Sequence, residues 1–283
     1  MGASLSKVVL ITGCRSGFGL LGAVEAARRG HRVYAGLRDP ATAEQLQAAA
    51  RDLPVTPIAL DVTDAGQRSA AVAQILDAEG QIDVLVNNAG IALGGFLETV
   101  EEDEFRAVLE TNVIGAWALT KEVLPAMRLR RSGRIVMVSS MSGRIGLPGV
   151  GVYAASKWAL EGMSESWRHE LALFGIDVVL VEPAQFRTDI FSRNRRLARN
   201  AEDPAGPWYP FAKALEARVN GMVERSAGDP ALVAKLLADL VDAPRPAFRH
   251  PIGPNAWLRE ALGRYVPFGV TERVISRMIR PKP

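Results

Sequence analysis

A tyrosine and a lysine stand four residues apart in Tyr153-Ala-Ala-Ser-Lys157, thirteen residues after Ser140, which closes the run Arg134-Ile-Val-Met-Val-Ser-Ser140. Apolar spacing predicts a helix over 153–174. Residues i and i+4 share a helix face, so the Lys157 ammonium is expected beside the Tyr153 phenol. A phenol titrates near ~10 in water, and a fixed positive neighbour draws that value toward the working pH. Such a tyrosine can pass a proton to or from a hydroxyl. Ser140 rather than Ser139 is the third member expected from the spacing, because adjacent residues of a persisting strand point to opposite faces.

The elements that must position these groups start early. Lys7-Val-Val-Leu-Ile11 reads as a short buried strand and Thr12-Gly13-Cys-Arg-Ser-Gly17-Phe-Gly19 as a glycine loop. Leu20, Leu21, Val24 and Ala27 then recur at helical spacing up to Gly30, a C-cap candidate. Strand, glycine loop and helix is the context in which backbone N–H groups cradle a pyrophosphate. The spacing is G-x-x-x-G-x-G rather than G-x-G-x-x-G. A second strand, Arg32-Val-Tyr-Ala, completes a βαβ unit. An acid ending that strand would hold a ribose 2′-hydroxyl and repel a phosphate. The residues there are Leu37, Arg38 and Asp39. The Arg38 guanidinium, with Arg15 as a second candidate, offers forked donors to a phosphate, which favours NADP(H) over NAD(H). The plainer alternative is that Arg38 and Asp39 pair at the surface.

The 283 residues, 48% of them hydrophobic, suit one large α/β domain. No linker, repeat or low-complexity tract divides it, and no apolar run approaches the ~20 residues of a membrane span. The first strand begins too early to leave room for a secretory signal. Cys14 is the only cysteine, which excludes an internal disulfide and points to a reducing, cytoplasmic setting. Residues 1–188 carry 18 Lys/Arg and 21 Asp/Glu, residues 189–283 carry 16 and 10. No basic run with interleaved aromatics suggests nucleic acid. His31, His169 and His250 lie apart, so no metal cluster is expected. No G-x-S-x-G elbow suggests a hydrolase. Glu101-Glu-Asp-Glu104 reads as a helix start.

Jointly, Thr12-Gly-x-x-x-Gly-x-Gly19, Asn87-Asn-Ala-Gly90, Asn112, Ser140, Tyr153 and Lys157 resemble the motifs of the short-chain dehydrogenase/reductase family, over residues 7–190. The phrasing around Ile11–Gly19, His31–Ala35 and Glu182–Asp189 is most similar to its hydroxysteroid and retinol dehydrogenase branch. The resemblance implies a Rossmann-type, doubly wound parallel α/β sheet in a single domain over 1–283, with a dinucleotide-binding and catalytic core over 7–188 and a substrate-capping extension over 189–283. It implies Tyr153 as general acid/base, Ser140 as the group that polarises the substrate oxygen, Lys157 as tuner of Tyr153 and grip on the nicotinamide ribose, and Asn112 as holder of a relay water. Cofactor contacts are implied for Gly13, Arg15, Ser16, Gly17, Phe18 and Gly19 in the loop, and for Arg38. Asp61 and Val62 would lie at the adenine, Asn87, Ala89 and Gly90 along the adenosine side, and Pro183 and Thr188 by the nicotinamide. The family usually has Pro-Gly where this chain has Pro183-Ala184, so positive φ at Ala184 would be strained by about 1 kcal/mol or more.

The implied reaction interconverts an alcohol and a ketone or aldehyde on a bulky, apolar, steroid- or retinoid-like substrate, by hydride transfer with NADP(H) and without a metal. The alternative is a catalytically silent member that senses nicotinamide or binds protein; such a member is expected to lack part of the Asn112, Ser140, Tyr153, Lys157 set, and all four stand here. Residues 189–283 hold eight of the eighteen aromatics, among them Trp208, Tyr209, Phe211, Trp257, Tyr265 and Phe268, which suit an apolar cap or plain packing. Helices expected over Phe105–Leu124 and Ala154–Phe174 carry apolar residues on more than one face. In the family they commonly pair into a two-fold interface, so a homodimer is expected. Val270, Val274, Ile275, Met278 and Ile279 form one apolar stripe beside Arg273, Arg277 and Arg280. That stripe suits packing on the domain or a second subunit first, and peripheral contact with an anionic membrane second.

Overall fold

The computed structural model of the chain describes residues 6–186, 196–226, 228–256, 258 and 265–280. Thr188 and Trp257 lie outside them. In chain order the elements are β1 Val8–Thr12, α1 Gly17–Arg28, β2 Arg32–Leu37, α2 Glu44–Ala49, β3 Val55–Ala59, α3 Ala65–Glu79, β4 Val84–Asn87, β5 Leu93–Gly94, α4 Glu102–Leu109, α5 Gly115–Arg130, β6 Gly133–Val138, α6 Gly151–Ala172, β7 Ile176–Pro183, β8 Arg196–Leu197, α7 Tyr209–Ser226, α8 Ala231–Asp242, β9 Arg249–Ile252 and α9 Phe268–Ile279. Seven strands form one parallel sheet in the order β3-β2-β1-β4-β6-β7-β9. This is the Rossmann-type, doubly wound α/β fold expected.

All five residues of β1 are buried, as in a strand covered on both faces. Alternation divides them. Val9 and Ile11 join a core with α1 and with Val233, Leu237 and Val241 of α8; Val8 and Leu10 join a second core with Ile75 of α3, Leu119 and Met127 of α5 and Leu160 of α6. Fully burying side chains of this size stabilises the fold by about 1.5–3 kcal/mol each before entropy is counted. The chain runs outward from β1 to β2 and β3, then crosses back to β4 on the other flank of β1. The crevice between β1 and β4 is therefore the switch point where such sheets bind ligands.

Gly30 ends α1 as expected. With φ +87° it lets its own N–H bond Ala27 O at 2.9 Å and that of His31 bond Ala26 O at 3.3 Å, the paired bonds of a Schellman turn. His31 is structural. Its Nδ1 accepts the Lys7 N–H at 3.3 Å, and Nε2 donates to Asp242 Oδ1 at 3.0 Å. Glu101 caps α4 in a capping box with Glu104, so the acidic run is a helix start.

Three expectations are corrected. The helix expected over Phe105–Leu124 is α4 and α5 joined through a π-helical turn, Glu110–Ile114, whose wider winding admits one extra residue. Ala184 does not adopt positive φ; its N–H instead extends the β7–β9 ladder to Ile252 O at 2.8 Å, so the missing glycine carries no strain. The stripe on α9 splits: Ile275 and Ile279 are half-buried while Val270 and Val274 are exposed, and Arg218 of α7 anchors the helix by donating to Arg277 O and Arg280 O. Met278 of that stripe is outside what the structure describes at side-chain level.

Candidate active site

The glycine loop packs on the segment after β4. Gly13 and Gly17 have φ +72° and +60°, and a Cβ at Gly13 would lie 2.9 Å from Ala89 Cα. Asn88 clasps the loop, donating from Nδ2 to Thr12 O at 2.8 Å, while Thr12 Oγ1 accepts the N–H groups of Asn88 and Ala89 at 3.0 and 2.9 Å. Ser16 stands at the N-cap of α1 without a side-chain capping bond, and the first turn contains no acid. The first N–H groups of the helix and its positive pole thus point past small residues into the crevice. That cradle fits a pyrophosphate. Phe18 meets Phe186 edge-to-face at 5.5 Å, linking this loop to the chain after β7. Asn87 donates to Thr120 Oγ1 at 3.0 Å.

At the adenosine end, Arg38 pairs with Asp61 rather than with Asp39: Arg38 Nε lies 3.0 Å from Asp61 Oδ2. Asp39 caps a short 3-10 turn by accepting the Ala41 N–H at 2.9 Å. Asp61 Oδ1 also accepts the N–H and hydroxyl of Thr63. Burial raises the Asp61 carboxyl, but the Thr63 bonds and the Arg38 charge outweigh it and hold the group below the usual carboxylate range. The Arg38 side chain stays 62% exposed, so its outer nitrogens face solvent at the edge of the crevice. Arg15 is exposed, and Val62 is buried against the backbone of Gly115.

Ser140, Tyr153 and Lys157 come together as the spacing implied. Ser140 follows β6, where its Oγ accepts the Ser142 N–H at 3.1 Å and its hydroxyl bonds the Tyr153 phenol. Lys157 Nζ donates to Val138 O at 2.8 Å and lies 5.6 Å from the Tyr153 ring centroid. Asn112, in the π-helical turn, donates from Nδ2 to Ile91 O and Ser156 Oγ, both at 2.9 Å, and accepts the Ile91 N–H at 2.8 Å. Ser156 Oγ in turn donates to Tyr153 O at 2.7 Å. The lining therefore joins β6, α6, the turn before α5 and the segment after β4. Pro183 is buried at the end of β7, and Ser139 Oγ lies against Gly143, 3.1 Å from where a Cβ there would stand.

The electrostatics depart from the expectation. Burial pushes the Tyr153 phenol up to about 12, the Ser140 hydrogen bond acting against it. Burial likewise pushes Lys157 down to about 8, with the Glu161 carboxylate opposing. In the protein alone desolvation outweighs the opposing Ser140 hydrogen bond at Tyr153 and the opposing Glu161 charge at Lys157. Both groups are nearly inaccessible, 4% exposed each.

Sequence reasoning quoted Thr12 and Asn88 in its motifs but gave them no role, and passed over Ser156; these three fix the loop and the helix through internal hydrogen bonds. It also missed Glu161, Glu182 and Arg249. The signal for Ser156 was at hand, since it lies inside the Tyr153–Lys157 stretch. Arg249 carried none, being 92 residues beyond Lys157.

This fold and this site define a dinucleotide-binding oxidoreductase. Residues 7–198 match the short chain dehydrogenase family, and the chain belongs to that family. It is 38% identical over 253 residues to human 17-beta-hydroxysteroid dehydrogenase type 1, covering 86% of this chain and 76% of that protein. It is 35% identical over 271 residues to the 3-ketodihydrosphingosine reductase of Bacteroides thetaiotaomicron, covering 92% and 96%. Among solved structures, a short-chain dehydrogenase from Streptomyces avermitilis superposes with a TM-score of 0.80 at 34% identity, over 97% of this chain and 95% of the other. A metagenomic short-chain oxidoreductase in complex with NADP gives 0.70 at 26% identity, over 89% and 99%. A nicotinamide cofactor fits the residues found in the crevice. No group of three or more metal-ligating side chains occurs among the described residues.

Proposed function

We propose that the protein interconverts a secondary alcohol and a ketone, or a primary alcohol and an aldehyde, on a bulky apolar substrate with NADP(H). The observation that carries the reading is the joined set Ser140, Tyr153 and Lys157 at the mouth of a dinucleotide crevice. The nicotinamide, when bound, supplies or accepts the hydride. The protein's share is binding and proton handling. Ser140 fixes the substrate oxygen against the Tyr153 hydroxyl, which gives its proton to a forming alkoxide or takes one from an alcohol. Lys157 supplies the positive charge that favours the phenolate and a donor for the ribose, and Asn112 holds the backbone around Ile91 and the Tyr153 turn in place. Thr188 is proposed as a carboxamide contact from the family resemblance alone.

The preference for NADP(H) rests on Arg38, whose guanidinium is paired with Asp61 yet largely exposed and so available to a phosphate, and on the absence of an acid at position 37. The apolar substrate rests on the relatives named for a hydroxysteroid and a 3-ketodihydrosphingosine, and on the aromatic segment after β7. There Trp208 stacks on Phe96 at 4.6 Å, and a Cβ at Gly149 would strike Leu215 of α7. The test is a panel of steroid, retinoid and long-chain ketones and alcohols assayed with NADPH, NADP, NADH and NAD. Turnover of apolar members with at least tenfold preference for the phosphorylated cofactor is expected. No hydride transfer across the panel, with cofactor bound, would favour the sensing role instead.

A further inference from the structure

A buried charge cluster lies behind Lys157, on residues to which the chemistry above gives no task. Glu161 stands one turn beyond Lys157 on α6 and is 5% exposed; Glu182 on β7 is 1% exposed. Both carboxylates share one nitrogen, Arg249 Nη1 of β9, with Glu182 Oε1 at 3.1 Å and Glu161 Oε2 in a closer contact. Arg249 Nη2 donates to Glu165 Oε2 at 2.9 Å, and Arg144 Nε lies 3.3 Å from Glu182 Oε1. Glu161 Oε1, Glu182 Oε2 and Ser139 Oγ have no hydrogen-bond partner among the described residues. The cluster closes on Gly143, where a Cβ would lie 2.9 Å from Glu161 Cγ and 3.1 Å from both Lys157 O and Ser139 Oγ.

Two half-satisfied carboxylates in an apolar interior destabilise a fold relative to well-packed hydrophobic residues. Such an arrangement makes sense where a charge is needed, and Lys157 is the neighbour that needs one. Facing Lys157 are Tyr153 and Glu161 from its own helix, the Val138 carbonyl from β6, and Gly90 and Asn112 from the segments across the crevice. Glu161 is the anion of that set. Arg249, Glu182, Arg144 and Glu165 face Glu161 and its partners rather than the lysine.

We propose that Glu161 is a positioning residue for the reaction: clamped by Arg249 against Glu182, its carboxylate keeps the buried Lys157 ammonium charged, so that edge strand β9 governs a lysine it does not touch. This rests on the role given to Lys157 above. Burial pushes Lys157 down to about 8 and Glu161 is the charge that opposes it, so removing that carboxylate lets the ammonium lose its proton at a lower pH.

The six lysines of the chain make a direct titration practicable. Lysine labelled with carbon-13 at Cε is followed against pH in the full chain, and Lys157→Arg assigns the buried resonance. Glu161→Gln is expected to lower its midpoint by at least about half a pH unit. Glu161→Asp, which keeps a carboxylate, stays nearer the unsubstituted protein, and Glu170→Gln on the exposed face of the same helix leaves the midpoint in place. Should Glu161→Gln not fold, combining it with Arg249→Gln removes the orphaned cation and is expected to shift the midpoint in the same direction by less. An unmoved midpoint in a folded variant overturns the proposal. The same variants are then assayed for turnover, where the high-pH limb of kcat/KM should move down with the midpoint. A shifted midpoint with an unmoved limb overturns the role in the reaction, whereas a fully active Tyr153→Phe overturns the reading on which that role rests.

Discussion

Replacing Tyr153 by phenylalanine removes one oxygen from a fully packed side chain and takes away the partner of Ser140. Turnover is expected to fall at least ~10²-fold, about 3 kcal/mol of barrier, while cofactor affinity stays within a few-fold; steady-state rates and cofactor fluorescence titration read the two. Lys157→Ala should lose both. For the unsubstituted protein, cofactor affinity should decline as pH rises through about 8, because Lys157 then gives up its charge; a flat profile from pH 6 to 10 counts against the ribose grip. At the adenosine end, Arg38→Asp should shift preference from NADP(H) toward NAD(H) by at least tenfold, about 1.4 kcal/mol, read as the ratio of kcat/KM values. The identity and proximity of Ser140, Tyr153 and Lys157 were legible because two are related by helix period and the third closes a strand. Their protonation was not, because burial is a property of everything packed around them. The partner of Arg38 escaped for a similar reason: Asp39 was adjacent in sequence, Asp61 in space.

At the scale of elements, the glycine loop is shaped by close approach as much as by turning. Gly13→Ala imposes positive φ on a residue with a Cβ and drives that atom onto Ala89, so a loss of about 1 kcal/mol or more is expected, seen as a lowered Tm together with weakened cofactor binding. Apolar runs announced the strands, and Gly30 announced the end of α1. Nothing in the sequence announced the π-helical turn before α5, since one extra residue barely disturbs a helical pattern over five positions. That turn brings Asn112 onto Ile91 and Ser156. Asn112→Ala, which frees Ile91 and Ser156 of their partner, is expected to lower turnover with little change in the far-ultraviolet circular dichroism.

For the whole molecule, α5 and α6 present large apolar groups to solvent. Trp117 on α5 is 41% exposed, Trp158 on α6 53% and Ile114 in the turn before α5 43%. We expect a homodimer through this surface, with Trp158→Glu giving a monomer by light scattering at micromolar concentration. The splitting of the α9 stripe bears on the membrane expectation: two of its four described apolar residues, Ile275 and Ile279, are half-buried, leaving Val270 and Val274 exposed among Arg273 and Arg277. Full-length protein is expected to remain in the supernatant with anionic vesicles at low salt, and co-sedimentation would reverse that. No helix among the described residues is long and apolar enough to cross a membrane.

The return of the chain to its sheet at β9 has a consequence for the order in which the protein can be born. The polypeptide leaves β7 at Pro183 and rejoins it only at Arg249, and the start of β1 is tied to the far end of α8, where Lys7 Nζ donates to Val241 O at 2.5 Å. At ribosomal speeds of about 5–20 residues per second, strands β1 to β7 spend seconds complete but unsealed. Contacts of such sequence separation close slowly. A nascent chain stalled before residue 249 should therefore be cut readily at the helix bearing Tyr153, and one released past residue 280 should resist, because the last strand made is the one that closes the edge of the sheet at β7.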